Sequence, residues 1–376
     1  ETLNNPYWGT QAPAAGVPAD HFSVSWSGTL TPKVTGIYEF ALVTDDKGRL
    51  YLDGKLLIDN WAPYEVNRMK TCRVRLEAGH PYPLRVEYGE VDGFAGIRFM
   101  WRMVAAGDKT QDTFLARAVE AARRADAVVV VLGEREDEVG EGRDKARLEL
   151  DTDQVHLLER VAATGRPLAV VLLNGRPLAL GRVASLSPAL LEAWFPGQEG
   201  GTAIAEILFG KVSPSGKLPV TFPRSAGQLP FYYDHKPSST HRYVDEAGTP
   251  LFPFGHGLTY TTFRLDSITA PAEVKASEGV PVRVTLTNTG PREGTEVVQL
   301  YVTDLVSSVT TPVRQLAAFA RVTLPPGADT TLQFVLTKAN LGLWNREMRY
   351  VVEPGRFRVT AGFSSAGGVS CTFEVK

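Results

Sequence analysis

A chain of 376 residues is longer than one ordinary domain, and length alone points to about two to three. Hydrophobic residues at 43% and charged residues at 22% suffice for several cores, and a net charge of -2 with the two signs interspersed argues against nucleic acid or a strongly charged surface as partner. The longest apolar run, residues 127–132, has the length of a strand, well short of the ~20 residues of a membrane helix, so no membrane span is expected.

From about residue 22 to 103 the chain reads as short alternating strands at 21–26, 36–42, 49–52, 72–76 and 97–101, separated by turns such as Asp53-Gly54 and Ala78-Gly79. That spacing predicts an all-β sandwich or barrel. From about 113 to 222, helical and strand patterns alternate. Helices are predicted at 114–125, 153–164 and 201–209, and strands at 127–132, 168–173 and 190–194. Continuous β-branched runs between amphipathic helices predict an open, mostly parallel sheet covered on both faces. Residues 223–253 are rich in proline and aromatics and too irregular for a core element. Alternation returns at 282–288, 297–302, 331–336 and 356–360, with turns at Pro326-Gly327 and Pro354-Gly355, and about seven strands there predict an immunoglobulin-like sandwich. The fold class is therefore multidomain, α/β plus all-β, divided at 1–108, 109–262 and 263–376.

Cys72 and Cys371 are expected as buried free thiols in separate domains. With no CxxC and no Cys/His cluster, neither a metal nor a cofactor is expected. A start at Glu1 without an n-region or apolar h-region leads us to expect a fragment or a processed chain.

Functional groups of an open α/β sheet collect beyond the carboxyl ends of its strands. Directly after the strand ending at Leu132 lies the stretch Gly133 to Asp144, with six acids in twelve residues. A solvated acidic loop would look the same by charge. Gly140 and Gly142 around one glutamate instead suggest a backbone that turns sharply to aim a single carboxyl group.

The stretch Gly140-Glu141-Gly142-Arg143-Asp144, with Leu148-Glu149-Leu150 and Gln154 after it, resembles the signature of family 3 glycoside hydrolases. The likeness continues in Trp194-Phe195-Pro196-Gly197-Gln198-Glu199-Gly200-Gly201, in Pro214-Ser215-Gly216-Lys217-Leu218-Pro219, in Phe252-Pro253-Phe254-Gly255-His256-Gly257, and in Glu293-Gly294-Thr295-Glu296, the last similar to the family's fibronectin III-like β-sandwich. The resemblance implies that Glu141 is the general acid/base, with Glu136 or Glu138 as alternatives if the register differs. Lys145 stands where the family often has arginine. Arg143 and Asp144 either orient Glu141 and contact substrate or pair with one another. Glu199 reads as a helix-start residue, and His256 as a packing residue in a turn. His241 and Arg242 default to the surface.

The first region resembles a PA14 domain, a β-barrel-like module, through residues 44–55 and Ile58-Asp59-Asn60-Trp61. In some family 3 enzymes that module is inserted in the α/β sandwich domain and walls the active site. Trp61, Tyr64 and Phe94 are then candidates to stack on a sugar, against the plainer reading of core aromatics. Asp45-Asp46 is similar to the calcium-binding pair of some lectin-like PA14 domains, but further oxygen ligands are not evident.

The resemblance implies a retaining, exo-acting β-glycosidase, β-glucosidase foremost, hydrolysing terminal β-linked sugars with two carboxyl groups about 5 Å apart. Its nucleophile aspartate would lie on a (β/α)8 barrel outside this chain. Glu141 would be kept protonated for incoming substrate by that neighbour and by partial burial. A second chain or segment, from nicking or a split gene, is expected to carry the barrel and complete the sheet. A homo-oligomer is left open, and a secreted or periplasmic setting is slightly favoured over the cytoplasm. The alternatives are a non-catalytic carbohydrate-binding protein and a scaffold fragment.

Overall fold

The computed structural model describes residues 7–61, 69–104, 110–135, 138–238 and 243–376. Tyr64, Glu136, His241 and Arg242 lie outside the described residues. The chain divides into two compact units, residues 1–124 with 136–140, and residues 125–135 with 141–376.

The first unit holds strands β1 (Tyr7–Gly9), β2 (Ser23–Leu30), β3 (Gly36–Thr44), β4 (Lys47–Leu52), β5 (Lys55–Asn60), β6 (Lys70–Leu76), β7 (Tyr82–Gly89) and β8 (Ala95–Val104), then helix α1 (Thr110–Arg124). The strands form two four-stranded sheets, ordered β1-β8-β3-β6 and β2-β7-β4-β5. Every second residue of β3 points inward, so Tyr38, Phe40 and Leu42 meet Leu50, Leu52, Val86 and Tyr88 of the other sheet in one core. The arrangement is a sandwich. β5 and β7 were not expected: Lys55–Asn60 breaks the alternation with three successive apolar residues, whereas Tyr82–Gly89 does alternate, Leu84, Val86 and Tyr88 against Pro83, Arg85 and Glu87, and was legible.

The second unit begins with β9 (Val128–Gly133), α2 (Thr152–Ala162), β10 (Leu168–Leu173), α3 (Gly181–Leu186), β11 (Ala189–Glu192) and α4 (Gly200–Leu208). The three strands are parallel in the order β11-β10-β9. Central β10 is buried on both faces, with Val170, Val171 and Leu172 inaccessible. The expected coverage of both faces fails at β9. It is an edge strand, and Val129 and Val131 remain 50% and 57% exposed. The strand predicted to reach residue 194 ends at Glu192, because Trp194 turns into the left-handed region at φ 52°.

The same unit continues with β12 (Phe263–Thr269), β13 (Glu273–Val274), β14 (Val280–Asn288), β15 (Gly294–Asp304), β16 (Gln315–Leu324), β17 (Asp329–Leu336), α5 (Lys338–Leu341), β18 (Leu343–Trp344), β19 (Tyr350–Val351), β20 (Gly355–Ser364) and β21 (Gly367–Val375). A three-stranded sheet, β12-β14-β17, faces a five-stranded one, β13-β21-β20-β15-β16, across a core that includes Val282, Leu286, Leu300 and Phe357. The irregular stretch before β12 is tied to this sandwich by a buried ion pair. Lys217 Nζ lies 2.6 Å from Glu296 Oε1, with both side chains under a tenth exposed, and donates to Gly257 O at 2.7 Å. Gln299 adds a second tie, donating to Gly255 O at 3.0 Å and to Phe363 O at 2.9 Å. Cys72 and Cys371 are free thiols, half-buried instead of buried.

Parallel pairing sets Gly133 opposite Leu173, and the two backbones approach so closely that a Cβ on Gly133 would lie 1.9 Å from Leu173 O. Its φ of 151° is also one that only glycine adopts freely. Gly133→Ala is therefore expected to lower stability by about 3 kcal/mol or more in denaturant unfolding. A loss under about 1 kcal/mol would show that the strands do not approach this closely.

Candidate active site

The three parallel strands end on one edge of the sheet, and each delivers a polar residue there: Glu134 after β9, Asn174 after β10 and Glu192 at the end of β11. Gly133 anchors the first of these. Gln154 on α2 takes its N–H at 2.8 Å and donates to its carbonyl at 2.7 Å, a reciprocal pair that fixes the strand end to the helix. Glu134 N–H then donates to Leu173 O at 2.9 Å, which turns the Glu134 side chain into the protein.

That side chain is 1% exposed, so its charge must be answered locally. Arg176 Nε lies 2.8 Å from Oε1, Lys145 Nζ 3.6 Å from the same oxygen, and Gly175 N–H donates to Oε2 at 3.1 Å. Arg176 also donates through Nη1 to Arg143 O at 3.0 Å. The acidic stretch after β9 is thus held at its far end by groups that arrive with β10.

Asn174 is fully buried and donates to Arg176 O at 2.8 Å and, at 3.4 Å, to Glu192 Oε2. Its Oδ1 is buried with no hydrogen-bond partner among the described residues. Glu192 Oε1 accepts the Trp194 N–H at 3.0 Å. This bond holds a bulky residue at a positive φ that costs about 1–3 kcal/mol, and the Trp194 ring rests 5.8 Å from that of Phe222. Burial pushes the Glu192 carboxyl up to about 7; the Trp194 N–H and Asn174 oppose the rise and the Glu134 charge adds to it.

Glu141 stands on the loop between these anchors, one residue before Gly142 at φ 68° and one after Gly140 at φ 137°. Both glycines take the positive φ their spacing suggested. The Glu141 side chain is exposed among the described residues. Arg143 is half-buried and Asp144 exposed. Glu199 occupies the N-cap of α4, where Thr202 Oγ1 lies 3.4 Å from its carboxylate. His256 stacks on Phe252 at 5.3 Å, and burial, then Lys217, holds its imidazole below the usual range.

Trp61 and Phe94 belong to the first unit. Trp61 is half-buried with the Arg49 guanidinium 4.6 Å over its ring, and Asp59 Oδ1 accepts its backbone N–H at 3.0 Å. Phe94 is 58% exposed on the turn after Gly93. Asp46 Oδ2 accepts the Val91 N–H at 2.5 Å.

Arg176, Asn174 and Glu192 escaped the sequence reading. Only their position, at or just past two strand ends, was there to signal them.

Glu192 makes a pH test of this packing. Its folded value lies above the ordinary 4.5, so its contribution to stability is fully present below about pH 4.5 and is lost as pH rises through about 7. Glu192→Gln removes that loss. The variant is expected to gain on the parent by about 1–2 kcal/mol between those limits, after allowance for solvent screening, and to hold level above them. Thermal unfolding across pH 4–8 checks it; a difference that stays flat would return Glu192 to the ordinary range.

Residues 15–260 match the glycosyl hydrolase family 3 C-terminal domain, and residues 296–365 match a fibronectin type III-like domain. The chain is 43% identical over 279 residues to the periplasmic beta-glucosidase of Salmonella typhimurium, covering 71% of this chain and 36% of that protein. It is 36% identical over 354 residues to a beta-xylosidase of Formosa agariphila, covering 87% and 48%. Among solved structures, the beta-glucosidase of Kluyveromyces marxianus in complex with glucose superposes with a TM-score of 0.73 at 28% identity, covering 95% of this chain and 45% of that one. The chain spans less than half the length of each of these relatives. With the family's C-terminal domain matched over most of its residues, the chain belongs to glycosyl hydrolase family 3.

Proposed function

We propose that this chain is the acid/base-bearing part of a retaining, exo-acting β-glycosidase, with β-glucosides as the foremost substrates. The observation that carries the reading is the glycine-framed Glu141 loop, which leaves the carboxyl end of a parallel strand and is anchored there by buried charge. Relatives named as beta-glucosidase and beta-xylosidase support the substrate class.

In this reading Glu141 protonates the leaving glycosidic oxygen and later takes a proton from water, while an aspartate nucleophile outside this chain forms the glycosyl-enzyme. Arg143 and Asp144 flank it as orienting or substrate-contacting groups. The exposure of Glu141 and of Val129 and Val131 on edge strand β9 fits a further segment or second chain that carries the (β/α)8 barrel and extends the sheet.

The domain division at 1–108, 109–262 and 263–376 belongs to the same proposal, with the first part a PA14 module. The Salmonella relative aligns with 71% of the chain and the Kluyveromyces structure with 95%, a difference close to the size of the residue 7–104 sandwich. That is what a module present in some members and absent from others would produce. Phe94, exposed on its turn, and Trp61, with one face occupied by Arg49, are the aromatics assigned to stack on sugar. A periplasmic or secreted setting follows the Salmonella relative's name.

Glu141→Gln in the full-length hydrolase tests the assignment. kcat/KM for an alkyl β-glucoside, whose leaving group needs a proton, is expected to fall about 10²–10⁴-fold. kcat/KM for a dinitrophenyl β-glucoside should change little, and azide should restore turnover to Glu141→Ala. Equal effects on both substrates would remove Glu141 from the acid/base role. A wild-type protein that binds the sugar and turns over neither substrate would favour a carbohydrate-binding protein without chemistry.

A further inference from the structure

We infer that Arg176 and Glu134 are positioning residues for the acid/base, setting where the Glu141 carboxyl lies by fixing the backbone two residues beyond it. The inference rests on the reading of Glu141 given above and names what holds that residue in place.

Gly133, Gly140 and Gly142 all take positive φ, and glycines leave a loop more conformational freedom than any other residue. Glu141 is exposed, so among the described residues its own side chain is not packed in place. The loop is held at both of its ends. At the near end, Gly133 is clamped by Gln154 on both its N–H and its carbonyl. At the far end, Arg176 Nη1 donates to Arg143 O at 3.0 Å while its Nε sits 2.8 Å from Glu134 Oε1.

One planar guanidinium therefore joins the carboxylate that begins the loop to the carbonyl near its end. One hydrogen bond, to Arg143 O, and one close ion pair, to a Glu134 oxygen that is buried and accepts no hydrogen bond among the described residues, leave the same planar group, whose two attachment points are fixed relative to each other as a lysine ammonium's are not. Lys145 Nζ, 3.6 Å from the same Glu134 oxygen, adds a third attachment after Glu141.

The fork is itself immobilised. Arg176 O accepts from Asn174 Nδ2 at 2.8 Å, Gly175 N–H donates to Glu134 Oε2 at 3.1 Å, and the Glu134 backbone is bonded to Leu173 O at 2.9 Å. The fork is therefore referenced to β9 and β10. A displacement of about 1 Å at a reacting group can cost about 100-fold in rate, so a fork of this kind is where such an error would arise.

Arg176→Lys in the full-length hydrolase separates positioning from support of the fold, since lysine keeps the charge on Glu134 and loses the second donor. Expected is a fall of about 10- to 100-fold in kcat/KM for the alkyl β-glucoside, with the dinitrophenyl β-glucoside and the thermal midpoint nearly unchanged. Glu134→Gln, which keeps one acceptor oxygen but sets an NH2 donor against either the Gly175 N–H or Arg176, should show the same selective fall. It carries the test if Arg176→Lys does not fold. Parallel losses on both substrates, or no loss on either, would overturn the inference. Glu141→Gln is measured beside them. A selective fall in Arg176→Lys next to an unaffected Glu141→Gln would overturn the Glu141 assignment, and with it the inference as stated.

Discussion

Removing a carboxylate from water is tolerable only where other charges and dipoles replace the solvent, and the site end of this parallel sheet is organised around that demand. Glu134 is almost wholly buried directly after β9. Arg176, Lys145 and the Gly175 N–H answer its charge, Lys145 from farther along the same loop and the other two from the chain after β10. Removing one member of such a buried group leaves the other uncompensated at about 3–5 kcal/mol, so the loops after β9 and β10 are bound to each other more firmly than surface loops are. The sequence that follows, with its glycines and Glu141, hangs from this point.

A second buried pair, Lys217 with Glu296, does for the irregular segment what Glu134 does for the site. The described residues between 211 and 262 have little regular structure of their own, yet Phe222 is 1% exposed and bridges to Phe252. The backbone of residues 255–257 is held from outside by Lys217 and Gln299. Polar side chains thus bind an irregular stretch to the β-sandwich where an apolar interface would leave its backbone groups unsatisfied.

Much of the fold was legible because period determines type. The run from Val128 to Leu132 and the run from Leu168 to Leu173 are continuous and apolar, as strands covered on both sides must be, and the alternation in β3 and β14 matches half-buried sandwich strands. β16 was harder to see: in Gln315–Leu324 alanines at 317, 318 and 320 weaken an alternation that is clear only from Ala320 to Leu324, and the strand is placed by its pairing with β15. β9 misled in the other direction. Its sequence reads as fully covered, while its position at the sheet edge leaves Val129 and Val131 open.

By itself the sequence determined what is local: which segments are strands or helices, where glycine must turn the chain around Glu141, and which residues carry titratable groups. Those follow from near-neighbour sterics and periodicity. Only the tertiary structure decided which acid in the run is buried and which is exposed. Glu134 and Glu141 are the same residue type in the same acidic stretch, but one is turned inward by the Leu173 carbonyl and met by Arg176, and the other is left outside. The physical reason is the parallel register. It sets Leu173 opposite Gly133, brings Gly175 to Glu134 across 41 residues of sequence, and makes a charge network from groups that no local pattern connects.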